Sequence, residues 1–376
     1  MGPLGGFTII EIGSIGPGPF CGMLLSDLGA RVVRIARPGP SPYGDLLHRG
    51  REAIAIDLKN EAAAEVVLRM VAQADGLIEG FRPGVAERLG IGPAEALDRN
   101  PRLVYGRMTG FGQEGPLAAS AGHDIDYIAV SGVLDLIGTS GGPPVVPLNL
   151  VGDLGGGGML LAVGLLAGLL EAGRSGRGQV IDAAMIDGSA VLGMFPRALA
   201  AAGQWEGGRG ENLIDGGAPF YCTYETGDGR YVAVGALEPH FYAHLVRGLG
   251  LEAGDLPEQY DRTHWPDLRA VFEEVFVSKT RDEWVEIFAG TDACVAPVLT
   301  PSEAPFHPHN VVRRTFVDVD GVTQAAPAPR FDRTPADFPG AVPTTGRDSV
   351  RVLESFGFEP VEIEPLLASG AVVQDA

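Results

Sequence analysis

The chain has 376 residues, with 28 Lys and Arg against 48 Asp and Glu, a formal net charge of −20. It is 45% hydrophobic and 20% charged, which suits a large buried core and not a disordered chain; the acidic balance excludes a general nucleic-acid binder, whose phosphate contacts need a basic face. The three cysteines, Cys21, Cys222 and Cys294, show no CxxC or Cys/His spacing, which excludes a disulfide scaffold, speaks against a zinc site and fits a reducing, cytoplasmic location.

At roughly 150 residues per domain the length suggests two domains. FTIIEI (7–12) reads as a strand, GSIGPGP (13–19) as a Gly- and Pro-rich turn and PFCGMLLSDLGA (19–30) as an apolar helix. ARVVRIARP (30–38) is a second strand, completing a βαβ unit with a parallel pair. Strands follow at 53–57, 76–80 and 103–110, with a helix at 60–74 between the first two. This alternation predicts an open α/β sheet with helices on both faces. The longest apolar run, 154–170, is closed by Asp153 and Glu171. It falls short of the roughly 20 residues that span a bilayer, so it reads as a buried helix, and no membrane partner is expected. Neither terminus carries a targeting pattern. Residues 178–193 read as a strand running into a helix, and the glycine-rich 203–218 as a crossing loop. A second region opens with a hairpin at 220–236, with Asp228-Gly229 at its turn. Helices follow at 239–249, 266–277 and 281–290. Residues 318–345 read as an extended connection and 350–370 as a closing helix.

The turn GPGPFCG (16–22) approximates a dinucleotide fingerprint, whose glycines let backbone approach a phosphate. A nicotinamide site would want an acidic residue at the end of the next strand, where this chain has Arg34, Ala36 and Arg37. The turn reads equally well as a tight strand-to-helix connection without a ligand. Further cations, Lys59, Arg82 and Arg88, also fall at strand ends. In an open parallel sheet such ends line one crevice. Together with Arg37 they suit an anionic, nucleotide-like ligand; singly, each reads as a solvated surface charge.

Three titratable residues stand where elements begin or end: His123 before an apolar helix-like run, Asp153 before the most apolar helix, and Glu238 after the strand YVAVGAL. Asp153 would serve as a plain N-cap, His123 as a cap or half-buried histidine, and Glu238 as a surface turn. The four glycines after Asp153 exceed what a cap needs, and suit a thioester packed against backbone.

At these positions the chain resembles the α-methylacyl-CoA racemases of the family III CoA-transferase superfamily. The matching stretches include IGPGPF, LSDLGARVVRIARP, AIDLK, IEGFRPGVAERLG, AGHDIDYIAVSG, PLNLVGDLGGGG and GQVIDAAMIDGS, in family order. The resemblance implies a Rossmann-like large domain with an open parallel sheet (1–200 and 320–376) and a smaller α+β domain (215–315). Linkers at 200–215 and 315–345 would join them. It implies an interlocked homodimer, an acyl-CoA thioester substrate, and neither cofactor nor metal, CoA being part of the substrate. His123 and Asp153 become the acid/base pair, with Glu238 beside His123. CoA would run along Arg37, the segment Ile56, Asp57, Leu58 and Lys59, the loop Gly80, Phe81 and Arg82, then Arg88, and the stretch Gly122 to Tyr127. Racemising a 2-methylacyl thioester needs a proton removed from one face of Cα and one delivered to the other. The helix start at His123 and Asp124 would offer backbone N–H groups to the enolate oxygen. The rival on the same fold is a CoA-transferase with Asp153 as nucleophile. A non-catalytic CoA binder and a nicotinamide dehydrogenase are the more distant alternatives.

Overall fold

The computed structural model describes residues 2–39, 45–338, 340 and 342–375. The chain forms two compact units, one of residues 1–131, 148–192 and 314–376, the other of 132–147 and 193–313.

The first unit begins with β1 (Thr8–Ile12), α1 (Pro17–Asp27), β2 (Arg31–Ala36), β3 (Glu52–Ile56), α2 (Ala63–Val71) and β4 (Gly76–Glu79). It continues through α3 (Val85–Arg88), α4 (Pro93–Arg99), β5 (Val104–Thr109) and α5 (Asp124–Val130). A π-helical segment, Leu150–Met159, runs into α6 (Leu160–Ser175), followed by β6 (Gln179–Ala184) and α7 (Met185–Leu192). In the second unit are α8 (Met194–Ala201), β7 (Tyr221–Glu225), β8 (Tyr231–Gly235), α9 (Pro239–Gly248), α10 (Trp265–Phe276), α11 (Arg281–Phe288), β9 (Val295–Pro297) and α12 (Pro308–Arg313). The chain then returns to the first unit with β10 (Phe316–Val319), β11 (Val322–Ala325), α13 (Ser349–Ser355), α14 (Pro360–Ala368) and β12 (Val372–Val373).

The large sheet has the order β12-β3-β2-β1-β4-β5-β6. β1 pairs in parallel with both β2 (Ile10 opposite Val33) and β4 (Ile10 opposite Leu77). The strand order therefore reverses there, making a topological switch point. All ladders are parallel except the edge pair β12–β3. Buried on both faces, the strands read as continuous apolar runs, yet successive residues still divide between faces. Ile10, Val33, Leu77 and Tyr105 join the core under α2 and α13. Their neighbours Ile9, Val32, Ile78 and Val104 join Leu25, Leu161 and Leu165 of α1 and α6 on the other side.

Three features depart from the sequence expectations. Residues 318–345 are not a plain connection: β10 and β11 pair as a hairpin, Phe316 opposite Ala325, around Asp320-Gly321, both at positive φ. The closing helix is two helices, parted by Gly357 at φ 74 and by Pro360 at the start of α14. The apolar run is part of a continuous helical stretch, Leu150–Ser175, of 26 residues, long and apolar enough by length and composition to cross a membrane. It is buried along one side alone: Leu161 and Leu165 are in the core, while Val163 and Leu170 are exposed.

The second unit packs α9, α10 and α11 on the antiparallel sheet β7-β8-β9. Its core is aromatic, with Phe220, Tyr224, Trp265, Phe272, Phe276 and Trp284 all buried. Both buried indoles find acceptors, Trp265 Nε1 donating to Gln259 O (3.0 Å) and Trp284 Nε1 to Phe276 O (2.8 Å), as buried indole N–H groups require.

Candidate active site

The carboxyl ends of β2, β3 and β4 carry the cations singled out in the sequence. Arg37 follows β2 directly. Ile56 ends β3, buried, and Asp57, Leu58 and Lys59 form the turn after it, where Asp57 Oδ1 accepts the Lys59 N–H (3.1 Å). Gly80, Phe81 and Arg82 follow β4. Their loop is held because Glu79 Oε2 accepts the Phe81 N–H (2.6 Å) while its other oxygen takes Arg107 (2.9 Å). Arg88 closes α3. Arg37, Lys59, Arg82 and Arg88 are all exposed, and among the described residues none forms an ion pair. Three arginines of this unit behave differently: Arg51 is buried on Glu11 (2.6 Å), Arg49 on Asp27 (2.5 Å), and Arg107 bridges Glu79 and Glu87. Arg34, at the end of the same strand as Arg37, points into that interior, 3.7 Å from Glu11.

Beyond β5, α5 presents the second group. His123 is its N-cap, with extended backbone and an exposed ring. Asp126 Oδ2 accepts the His123 N–H (2.9 Å), so this amide is occupied and does not serve an enolate oxygen. The Asp124 and Ile125 amides, at the first two helical positions, have no backbone or side-chain acceptor among the described residues. The Asp124 carboxylate is buried: Oδ2 accepts the Asp153 N–H at 2.7 Å, and Oδ1 has no partner among the described residues. That bond ties the segment carrying Asp153 to the residue next to His123. Tyr127 packs edge-to-face on Phe111 and donates its hydroxyl to Gly122 O. Burial, with the charges of Asp153 and Asp126, pushes its phenol up to about 12, and Arg82 pulls the other way.

Asp153 sits in the π-helical segment, whose wider winding shows in the Leu154 N–H donating to Asn149 O five residues back (3.3 Å). Asn149 Nδ2 donates to Asp153 Oδ2 (3.1 Å). Burial raises the Asp153 carboxyl above the ordinary range and the Asp124 carboxylate adds to this, against the Asn149 hydrogen bond and His123. Half-buried and biased toward its protonated form, Asp153 is equipped to carry a proton.

Three of the four glycines after Asp153 serve packing. A β-carbon on Gly156 would meet Ser189 N at 2.7 Å, on Gly157 Met185 Cγ at 2.9 Å, and on Gly158 Pro17 O at 2.7 Å. Three of the four thus let α1 and α7 close on the segment's backbone. The first turn also lies here: Gly16, at φ 68, would place a β-carbon 3.2 Å from Asp153 Oδ2. The sequence reading names neither Asn149 nor the contact of Gly16 with Asp153. For Asn149 the signal was present, an amide four residues before an acid on one helical face; Gly16 opens the turn GPGPFCG, which reads as a phosphate loop or a plain connection and gives no sign of Asp153.

Glu238 belongs to the second unit, where it is the exposed N-cap of α9 with no side-chain hydrogen bond among the described residues. Among the described residues there is no group of three or more His, Cys, Asp or Glu able to hold a metal.

Residues 4–349 match the CoA-transferase family III model. The chain is 48% identical over 375 residues to a mouse alpha-methylacyl-CoA racemase, covering 99% of this chain and 98% of the relative. It is 46% identical over 366 residues to the human alpha-methylacyl-CoA racemase, covering 96% of each. Among solved structures, a CAIB/BAIF family protein from Brucella suis superposes with a TM-score of 0.81 at 25% identity, over 94% of this chain and 99% of that one. Rv3272 from M. tuberculosis gives 0.77 at 27%, over 93% and 98%. The shared fold, the near-complete coverage and the family match lead to one conclusion: the chain belongs to CoA-transferase family III.

Proposed function

We propose that the protein is a racemase that interconverts (R)- and (S)-2-methylacyl-CoA thioesters by proton transfer through an enolate, without a cofactor. The observation that carries this reading is the 2.7 Å bond from the Asp153 amide to the Asp124 carboxylate. It fastens one proton carrier beside another, His123, at the carboxyl side of the parallel sheet. His123 takes the α-proton from one enantiomer and Asp153, protonated, delivers one to the opposite face; the other enantiomer runs the reverse. The free Asp124 amide donates to the enolate oxygen. The four exposed cations take the CoA phosphates. A transferase would use Asp153 as a nucleophile, a chemistry that needs neither His123 nor Glu238. The unpaired thiols Cys21, Cys222 and Cys294 fit a cytoplasmic enzyme.

The same reading includes a homodimer in which Glu238 of one subunit orients His123 of the other. Apolar side chains that the single chain leaves open support it: Val163 and Leu170 on α6, Val191 on α7, and Phe306, Val311 and Val312 in the second unit are all more than half exposed.

The test is exchange of the α-proton in deuterated water with enzyme and 2-methylacyl-CoA alone. A racemase exchanges and racemises; a transferase turns over only with an acceptor acid. For the dimer, inactive His123→Ala and Glu238→Ala chains are co-expressed. With sites built in trans, half of the randomly formed dimers are mixed and half of their sites are intact, so activity returns to about a quarter of wild type. No recovery in chains shown to mix refutes the trans site.

A further inference from the structure

Helix α1 begins unusually for a helix with a carboxyl at its N-terminus. Its N-cap, Gly16, has no side chain. Asp153 Oδ2 lies 3.2 Å from where a Gly16 β-carbon would be, so the carboxylate stands beside the first residues of α1. An acceptor there draws on the amides of the second and third helical residues, with the helix dipole adding to the attraction. In this helix the first and third residues are Pro17 and Pro19, which have no N–H; the Gly18 N–H between them makes no hydrogen bond to Asp153 among the described residues. The Phe20 N–H is already given to Gly16 O (3.1 Å). Among the described residues Asp153 Oδ2 receives a hydrogen bond from Asn149 and none from α1. Proline at the first position is common because φ there is already set; that accounts for Pro17 and leaves Pro19 unexplained. Pro19 is buried, and its carbonyl accepts from the buried Arg51, which fixes the turn from behind.

We propose that Pro19 is a positioning residue for proton transfer: by withholding the third helical amide from the Asp153 carboxylate, it keeps that group free to bind and release the transferred proton. A helix N-terminus with its full set of amides would hold the carboxylate in its charged form and oppose the protonation that the reaction needs. This inference rests on the racemase reading of Asp153. The titratable groups around Asp153 are few. His123, Asp124 and Tyr127 on α5 act on it or are acted on by it. Asp187 on α7 and Asp182 on β6 are exposed. Asp27, at the far end of α1, is paired with Arg49, and Arg107 on β5 with Glu79 and Glu87. Glu171 and Arg174 stand at the distant end of α6.

The experiment is the pH profile of kcat/KM for racemisation by Pro19→Ala, which returns one amide to the α1 N-terminus and keeps the carbonyl held by Arg51. A hydrogen bond to a charged group is large enough to move the acid limb to lower pH by about one unit. Pro19→Gly repeats the test at the same position should Pro19→Ala fail to fold. A fall in rate without movement of the acid limb reports a merely structural proline and overturns the inference, as does an unchanged profile. Asp153→Ala is run alongside: if it still racemises, the reading of Asp153 itself fails; if it is inactive while the Pro19→Ala limb stays in place, the inference alone fails.

Discussion

The packing of α7 on the π-helical segment makes Gly188 the tightest point near the chemistry. A β-carbon on Gly188 would lie 1.8 Å from Gly156 O and 2.5 Å from Gly156 C, where ordinary contact begins at 3.4 Å. Both partners are backbone, so no side-chain rotation relieves the clash, and in Gly188→Ala the two helices part by about 1.5 Å, the shortfall from close-packed contact. Gly156 is less than one turn from Asp153, so the displacement reaches the carboxyl and strains its bonds to Asn149 and, through its amide, to Asp124. Overpacking of this kind costs about 1–3 kcal/mol of stability, and a misplacement near 1 Å costs about 100-fold in rate. The comparison variant is Gly173→Ala in α6, where a β-carbon meets nothing within 4 Å; it gains up to about 1 kcal/mol of helix propensity with activity unchanged. Thermal denaturation and α-proton exchange in deuterated water read both effects. Wild-type melting and turnover in Gly188→Ala would refute the claim that backbone contact at this glycine positions Asp153.

Arg82→Ala and Arg88→Ala each weaken binding of a CoA thioester by about 1–3 kcal/mol, the loss of a charge-assisted contact, and the wild-type affinity falls with added salt. Titration calorimetry measures both, and unchanged affinity across alanine variants of Arg37, Lys59, Arg82 and Arg88 would put the nucleotide elsewhere. Arg51→Ala leaves the buried Glu11 without its closest partner and frees the carbonyls of Leu47 and Pro19; destabilisation of about 3–5 kcal/mol is expected in denaturant melts, and a loss under about 1 kcal/mol would show the pair to be dispensable.

Strands β1 to β5 were legible because a parallel sheet buried on both faces leaves runs such as TIIEI and RVVRIA, and the turn residues between them are unambiguous. Asp320-Gly321 carried a plain hairpin signal amid the alternation FVDVDGVTQA, but the prolines downstream drew the whole stretch into one connection. β12 is two residues long, too short for any periodicity. The helix over 154–170 was legible from its apolar run, but its start at Leu150 and its π winding were not, since a run of four glycines opposes helix formation by propensity; the close approach of α1 and α7 decides them. In the site, the exposed cations Arg37 and Arg82 and the buried Arg34, Arg51 and Arg107 look alike in sequence. What separates them is the carboxylate each meets from another strand or helix, and no local spacing encodes that. The contact of Gly16 with Asp153 joins residues 137 positions apart and is likewise a product of the fold.

The cost of keeping Asp153 ready is measurable. Its carboxyl is raised above the ordinary range, with burial as the main cause, so the folded protein binds this proton more tightly than the unfolded chain does. By linkage the stabilisation is fully present below the unfolded carboxylate range near 4 and is lost as pH rises through the higher folded value. At neutral pH the ionised group therefore works against the fold. Asp153→Asn removes the charge, keeps the shape and keeps an oxygen for the Asn149 amide. It should be inactive yet more stable at pH 7 to 8, by about 1 kcal/mol, a modest figure because water still reaches part of the site and screens the charge. The difference between variant and wild type should shrink as pH falls toward 4, since the wild-type carboxyl then takes up its proton. Denaturant melts of both proteins across that range decide the matter. A variant less stable than wild type at neutral pH, or a gap that widens on acidification, would mean that the ionised carboxylate is a structural support and that its neighbours hold it charged. An active site that stabilised its acid in the charged form would have little proton to give, so the sign of this one difference bears directly on whether Asp153 is a proton carrier.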